Sequence, residues 1–181
     1  MLHPDIVLKR SPIQGKGLFA AKDIPKGTVV MVSPVVQEYT RQEYKTFSFR
    51  YRAILKKYAS GDSSGNLIYH TDNVKYWNHS CNPNTTYVGD VEIAIKNIRA
   101  GEELTYDYGL IHPIWLPPMK CYCGSPNCRG IIVRVPDNSL IAQRLHSAAR
   151  NALKNALEVS QPLIKKKDLL QLMQEACVHS L

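Results

Sequence analysis

Asn78-His79-Ser80-Cys81-Asn82-Pro83-Asn84 crowds amides, an imidazole, a hydroxyl and a thiol into seven residues around a proline. Taken alone, such a run is a turn held by side-chain caps. Its weight comes from what lies around it. Downstream stands Gly101-Glu102-Glu103-Leu104-Thr105-Tyr106-Asp107-Tyr108-Gly109, in a chain where 10 aromatic residues are Tyr, against 3 Phe and 2 Trp. Upstream, Gly15-Lys16-Gly17-Leu18-Phe19-Ala20 follows a turn signal, which by itself means only a hairpin.

Further out, three of the five cysteines stand in Cys121-Tyr122-Cys123-Gly124-Ser125-Pro126-Asn127-Cys128, with Cys81 and Cys177 far away. An odd, crowded set argues against a disulfide framework. Thiolates this close among Gly, Ser, Pro and Asn suit a knuckle folded around a tetrahedral ion, with zinc the default for sulfur ligands. Spacing leaves the fourth ligand open among Cys81, Cys177, His79 and His112.

Turn signals at Gln14–Gly17, Ile24–Gly27, Ser60–Asn66 and Gly89-Asp90 break the first half into short β-rich pieces, among them Thr28–Val32, Thr86–Val88 and Val91–Ile95. Arg41–Tyr58 lacks Pro and Gly and reads as one helical insertion. From Ser139 the period changes: Ile141, Leu145, Ala148, Ala149, Ala152, Leu153 and Ala156 make an amphipathic helix capped at Ser139. A second helix after Pro162 buries Leu169, Leu172, Met173 and Ala176. The hairpin of the two is expected to pack back on the domain; binding a partner, including a second copy as a homodimer, is the alternative.

With 181 residues, 44% hydrophobic and 21% charged, the composition is that of a folded globular protein. Apolar runs such as Val29–Val32 and Ile131–Val133 fall far below the roughly 18 residues of a membrane span, and the start carries no secretory pattern, so an intracellular protein is expected. The net charge of +8 concentrates in residues 41–57, where Arg41, Lys45, Arg50, Arg52, Lys56 and Lys57 face only Glu43. That segment is either a solvated helix face or a grip on the phosphates of nucleosomal DNA. Walker, zincin, nucleophile-elbow and Rossmann patterns are absent, and adjacent Glu102 and Glu103 diverge too far for a paired-carboxylate hydrolase.

The four motifs, in this order over about residues 4–130, resemble those of SET-domain protein lysine methyltransferases with a post-SET zinc knuckle. The resemblance implies a mainly β fold with some α, made of small curled sheets around a knot-like active site. It divides the chain into a SET domain (4–109), a zinc knuckle (110–130) and a C-terminal helical extension (131–181). S-adenosylmethionine and a substrate lysine would meet in a channel from opposite faces. By position, Lys16, Gly17, Leu18, Asn78, His79 and Tyr108 would hold the cofactor, Tyr108 and Tyr106 would be catalytic, and Cys81 would join Cys121, Cys123 and Cys128 on a structural zinc. Tyrosine at 106 implies monomethylation.

The chemistry suits these residue types. A lysine near pKa 10.4 is protonated at neutral pH, and burial beside a sulfonium favours its neutral amine. Transfer then mostly needs alignment in a channel that excludes water. Tyrosine rings pack on the lysine stem while their hydroxyls orient the amine. Residues 90–107 carry Asp90, Glu92, Glu102, Glu103 and Asp107 against Lys96 and Arg99, an acidic stretch expected to receive a basic protein, with a histone tail the natural candidate. Action in the nucleus is expected in a eukaryotic or host cell, and in the cytoplasm otherwise. The competing reading is a catalytically weak, zinc-stabilised module that binds chromatin or nucleic acid.

Overall fold

A computed structural model describes residues 1–32, 36–62 and 64–178, without the side chains of Cys177 and Val178. Ser63 of the Ser60–Asn66 turn and the Cys177 thiol thus lie outside the described residues. In chain order the elements are β1 (Ile6–Arg10), β2 (Lys16–Ala20), β3 (Val29–Val32), β4 (Val36–Tyr39), α1 (Arg41–Thr46), α2 (Phe49–Tyr58), β5 (Ser60–Gly61) and β6 (Leu67–His70). There follow β7 (Asn78–His79), β8 (Thr85–Val88), β9 (Val91–Ala94), β10 (Thr105–Tyr106), β11 (Met119–Lys120), β12 (Ile131–Ile132), α3 (Leu140–Asn155) and α4 (Lys166–Val178). Single-turn 3-10 helices cover Asn73–Tyr76 and Tyr108–Leu110. No described helix is long and apolar enough to cross a membrane.

The strands form small separate sheets: β1-β2, β3-β9-β8, β4-β6-β5, β7-β10 and β11-β12. This is the expected mainly β fold of small sheets. The expected single helix over 41–58 is two. Thr40 and Glu43 form a capping box on α1, and Ser48 accepts the Tyr51 N–H to start α2 afresh, leaving Phe47 extended between them.

The sheet β3-β9-β8 separates two cores: β8 and β9 alternate their residues between its faces, and in β3 the register shift between Val29 and Met31 turns those two to opposite sides. On one side Val29, Val88, Val91 and Ile93 meet Leu145, Ala149 and Leu153 of α3 and Leu169 and Leu172 of α4. On the other, Met31 and Ala94 meet Leu18, Trp77 and Leu104, with Tyr87 and Tyr106 packed against them. Each buried leucine contributes about 1.5–3 kcal/mol. The C-terminal hairpin therefore packs back on the sheet. α3 begins where Ser139 Oγ accepts the Ala142 N–H at 3.2 Å. Its far end is locked to the start of β3: Gln161 accepts the Val29 N–H at 2.8 Å and donates to the Gly27 carbonyl at 2.8 Å. Gly27 is obligatory there, with φ at +95° and a Cβ that would stand 2.9 Å from the Ala152 carbonyl.

Candidate active site

The Asn-His-Ser-Cys run and the Thr-Tyr-Asp-Tyr run lie side by side as the parallel pair β7 and β10, with Asn78 opposite Thr105 and His79 opposite Tyr106. So short a pair has few ladder bonds, and side chains supply the rest. Asn84 accepts the Thr105 N–H at 2.8 Å and donates to the Glu103 carbonyl at 2.8 Å and the Glu102 carboxylate at 3.1 Å. The amide at 84 thus clamps one run to the other. Asn78 ties in the Gly15–Leu18 segment, donating to the Lys16 carbonyl at 2.9 Å and to Glu103 Oε1 at 2.7 Å. Gly17 leaves room for this: a Cβ there would collide with the Glu103 carboxylate.

Tyr108 sits at the junction. Its N–H donates to His79 Nδ1 at 3.1 Å and its hydroxyl donates to the Trp77 carbonyl at 2.6 Å. With that proton committed, the lone pairs of the hydroxyl oxygen remain to accept. Tyr106 leans on Tyr108 with the rings tilted by 45° and centroids 4.9 Å apart, and it meets Tyr87 edge-on at 5.7 Å and Trp77 at 6.3 Å. Burial pushes the pKa values of Tyr87, Tyr106 and Tyr108 up, so all three keep their protons.

Two cavities share Tyr108 as a wall. A narrow one of about 40 Å³ runs between Trp77, Tyr87, Tyr106 and Tyr108. A wider cleft of about 300 Å³ is lined by Gln14, Gly15, Lys16, Asn78, His79 and Tyr108, with Lys57, Lys75 and Lys120 around it. The first has room for an alkyl-amine head and little else; the second lies at the lower end of small-molecule pocket sizes. Of the six residues expected at the cofactor, Lys16, Asn78, His79 and Tyr108 line the cleft. Gly17 is behind it, and Leu18 is core, 1% exposed, meeting the region through its carbonyl, which accepts the Leu104 N–H at 2.8 Å.

The knuckle brings sulfur to the same place. One ligand atom each from His79, Cys81, Cys121 and Cys123 lies within 4.8 Å of the others. Cys81 Sγ is 3.8 Å from Cys121 Sγ, which matches the roughly 3.8 Å edge of a zinc–sulfur tetrahedron. Backbone N–H groups point at the sulfurs: Arg129 to Cys81 at 3.3 Å, Cys81 to Cys123 at 3.5 Å and Gly130 to the exposed Cys128 at 3.4 Å. Burial raises the Cys81 and Cys121 thiols, while hydrogen bonds from the Cys81 N–H and from Ser125 overcome burial and hold Cys123 down at about 6. Burial also keeps His79 neutral, lowering its pKa to about 4. Since Nδ1 accepts the Tyr108 N–H, the remaining proton is on Nε2, 3.2 Å from Cys81 Sγ. Arg129 anchors the knuckle with a bidentate pair to buried Asp107, at 2.7 and 2.6 Å.

Four participants escaped the sequence reading. Tyr87 lacks a motif, and its signal is strand alternation after Asn84, which puts Thr85 and Tyr87 on one face. Glu103 holds Asn78 and, at 2.8 Å, the Ser11 hydroxyl. Arg129 and Asp107 are 22 residues apart, a pairing spacing cannot reveal. The acidic stretch also differs from expectation. Glu92 is buried, Asp107 is paired with Arg129, and the narrow cavity is bordered by Lys56, Lys57 and Lys75.

A family model for the SET domain matches residues 15–109. Among curated relatives, the histone-lysine N-methyltransferase trr of Drosophila melanogaster is 33% identical over 142 residues, covering 69% of this chain and 6% of its own. The human histone-lysine N-methyltransferase SETD2 is 29% identical over 152 residues, covering 72% and 6%. This chain thus spans a small fraction of these relatives' length. Among solved structures, KRYPTONITE in complex with mCHG DNA and SAH aligns with a TM-score of 0.50 and 24% identity over 70% of this chain and 28% of that one, a likeness of fold. With the matched residues holding both threaded runs and the cleft between them, the chain belongs to the SET-domain family.

Proposed function

We propose that this protein is an S-adenosylmethionine-dependent protein lysine methyltransferase. The observation that carries the reading is a narrow tyrosine-walled cavity beside a wider cleft, the two sharing Tyr108 together with Lys57, Tyr58, Lys75 and Met119 as lining. Lys16, Asn78, His79 and Tyr108 would hold S-adenosylmethionine in the cleft, and Gly17 and Leu18 would shape its floor through the backbone. When bound, the cofactor supplies an electrophilic methyl on a sulfonium. The chain's own residues do the rest. Trp77, Tyr87 and Tyr106 pack on the lysine stem and exclude water from the amine. The Tyr108 hydroxyl, fixed by its bond to Trp77, accepts an amine N–H and so aims the nitrogen lone pair down the channel. Tyr106 fills space beside the amine, and in our reading it favours monomethylation.

Cys81, Cys121, Cys123 and Cys128 would hold a structural zinc. Cys128 is a better fourth ligand than His79, because a protonated Nε2 cannot bind a metal, whereas Cys128 lies beside Cys121 and receives the Gly130 N–H. Zinc there ties the knuckle to β7 beside the channel. Relatives named as histone-lysine methyltransferases support a basic protein substrate, a histone tail first, and a nuclear site of action in a eukaryotic or host cell. Residues 41–57, with exposed Phe49 between basic side chains, would meet nucleosomal DNA.

The test is incubation with methyl-labelled S-adenosylmethionine and separate samples of core histones, nucleosomes and a cell lysate, read by mass spectrometry. Label on a defined lysine, lost with Tyr108→Phe and accompanied by zinc in the purified protein, is expected. Absence of labelling together with absence of S-adenosylhomocysteine binding would turn the reading toward a chromatin-binding module. If Tyr106→Phe leaves the number of methyl groups per lysine unchanged, the monomethylation reading fails.

A further inference from the structure

Glu92 lies in the middle of β9 and is fully buried. Among the described residues neither carboxyl oxygen has a hydrogen-bond partner. The groups around it come from three strands: Met31 opposite it on β3, Tyr87 opposite it and Thr85 nearby on β8, and Tyr106 on β10. The Thr85 hydroxyl is close enough to hold the carboxyl pKa down, but the bond it makes is to the Thr105 carbonyl at 2.9 Å. No cation pairs with Glu92 among the described residues. In the same cluster the indole N–H of Trp77, whose ring meets Tyr106, is also buried without a partner. A lone carboxyl with no bonding partner is a heavy penalty in an apolar strand. Its position is telling: it is paired across the ladder with Tyr87, and Tyr87 lines the narrow cavity.

Methyl transfer to lysine needs a group in this place. The substrate arrives as an ammonium and must lose a proton, yet Tyr87, Tyr106 and Tyr108 are all held in their protonated form and cannot keep another. We propose that Glu92 is the proton acceptor of the site, reached through the Tyr87 hydroxyl. This rests on the methyltransferase reading above. An ammonium N–H bond breaks and its proton passes to Tyr87 Oη, whose own proton passes to the Glu92 carboxylate once substrate entry draws that carboxyl onto the hydroxyl, a hydrogen bond the structure without substrate does not make. The nitrogen keeps the electron pair with which it attacks the methyl group, and no oxidation occurs. Glu92 returns its proton to water after the product leaves. Burial raises the carboxyl pKa to about 8, with Thr85 opposing, so near neutral pH it can both take up and release a proton. Entry of a cation into the cavity favours the carboxylate at the moment it is needed. Tyr87 touches the substrate; Glu92 acts through it as a positioning and proton-storing residue.

The experiment compares the full chain with Glu92→Gln and Glu92→Asp. It follows kcat for lysine methylation from about pH 6 to about pH 10, across the ordinary lysine pKa, alongside S-adenosylhomocysteine affinity. Glu92→Gln keeps the shape and cannot take the proton. We expect a kcat lower on the order of 10–100-fold at pH 7 with unchanged product affinity. The deficit should shrink toward pH 10, where lysine loses its proton unaided, and Glu92→Asp should recover part of it. A deficit constant with pH, or none, overturns the inference while leaving the methyltransferase reading intact. A wild type that methylates no lysine at any pH overturns both. Should Glu92→Gln fail to fold, ring-carbon NMR of the wild type decides: the Tyr87 signal, assigned by Tyr87→Phe, must titrate near pH 8, and a flat signal overturns the proposal.

Discussion

On the helix side of the sheet β3-β9-β8, Val29, Val88, Val91 and Ile93 form one hydrophobic core with residues of α3 and α4. The other side of the same strands presents Thr85, Tyr87 and Glu92 to the tyrosine cluster. The strands thus serve two purposes, separated in β8 and β9 by the two-residue period and in β3 by the register shift between Val29 and Met31. The comparison teaches that stability and chemistry are divisible here. The helix face can be packed for free energy alone, and the tyrosine face tolerates a buried carboxyl and a half-filled cavity because the opposite face offsets them.

The division can be broken first from the helix side. Leu169→Ala, at a fully buried contact of α4 with the sheet, should destabilise the fold by about 2–5 kcal/mol. Denaturant unfolding measures this, and the surviving folded fraction should keep its cofactor-product affinity. From the tyrosine side, Tyr108→Phe removes the hydroxyl but not the ring. Methyl transfer should fall by ~100-fold, about 2.7 kcal/mol, with little change in melting temperature. If melting shifts as strongly as in Leu169→Ala, the faces are not separable.

Glu92 sharpens the contrast through pH. Its folded pKa of about 8 lies above the usual 4.5, so the folded state holds the proton more tightly. Stability must then fall as pH rises from about 4.5 to about 8 and level off beyond, with a slope of at most ~1.4 kcal/mol per pH unit from this group. Glu92→Leu should flatten that slope and raise the melting temperature at pH 8. The smallest effect belongs to the cap. Ser139→Ala should cost about 1 kcal/mol in thermal unfolding and leave methyl transfer untouched.

The threaded site was legible because its parts are contiguous runs: Asn78–Asn84 and Gly101–Gly109 carry their own geometry, including the asparagines that clamp them. The helical hairpin was legible through its period and through Ser139. What escaped was pairwise. Tyr87 and Glu92 face each other only because the Gly89-Asp90 turn sets the register of β8 against β9. A charge tally counted Glu92 on an acidic surface that the register removes. The break between α1 and α2 was written in Thr40, Glu43 and Ser48, but a run without Pro or Gly masked it. The approach of His79 to the cysteines depends on tertiary threading, so spacing alone left four candidates for one ligand position.

Gln161 gives the molecule a timetable as well as a fastening. The strand that begins at Val29 is synthesised early, yet its first amide waits for a side chain 132 residues later in the chain. At ribosomal speeds of about 5–20 residues per second, that interval is on the order of ten seconds. Until α3 and α4 emerge, the valine face of the sheet has no cover, and the nascent chain carries the surface that holdase chaperones bind. Completion of the sheet, and of the candidate site on its other face, is therefore gated by the arrival of the C-terminal hairpin.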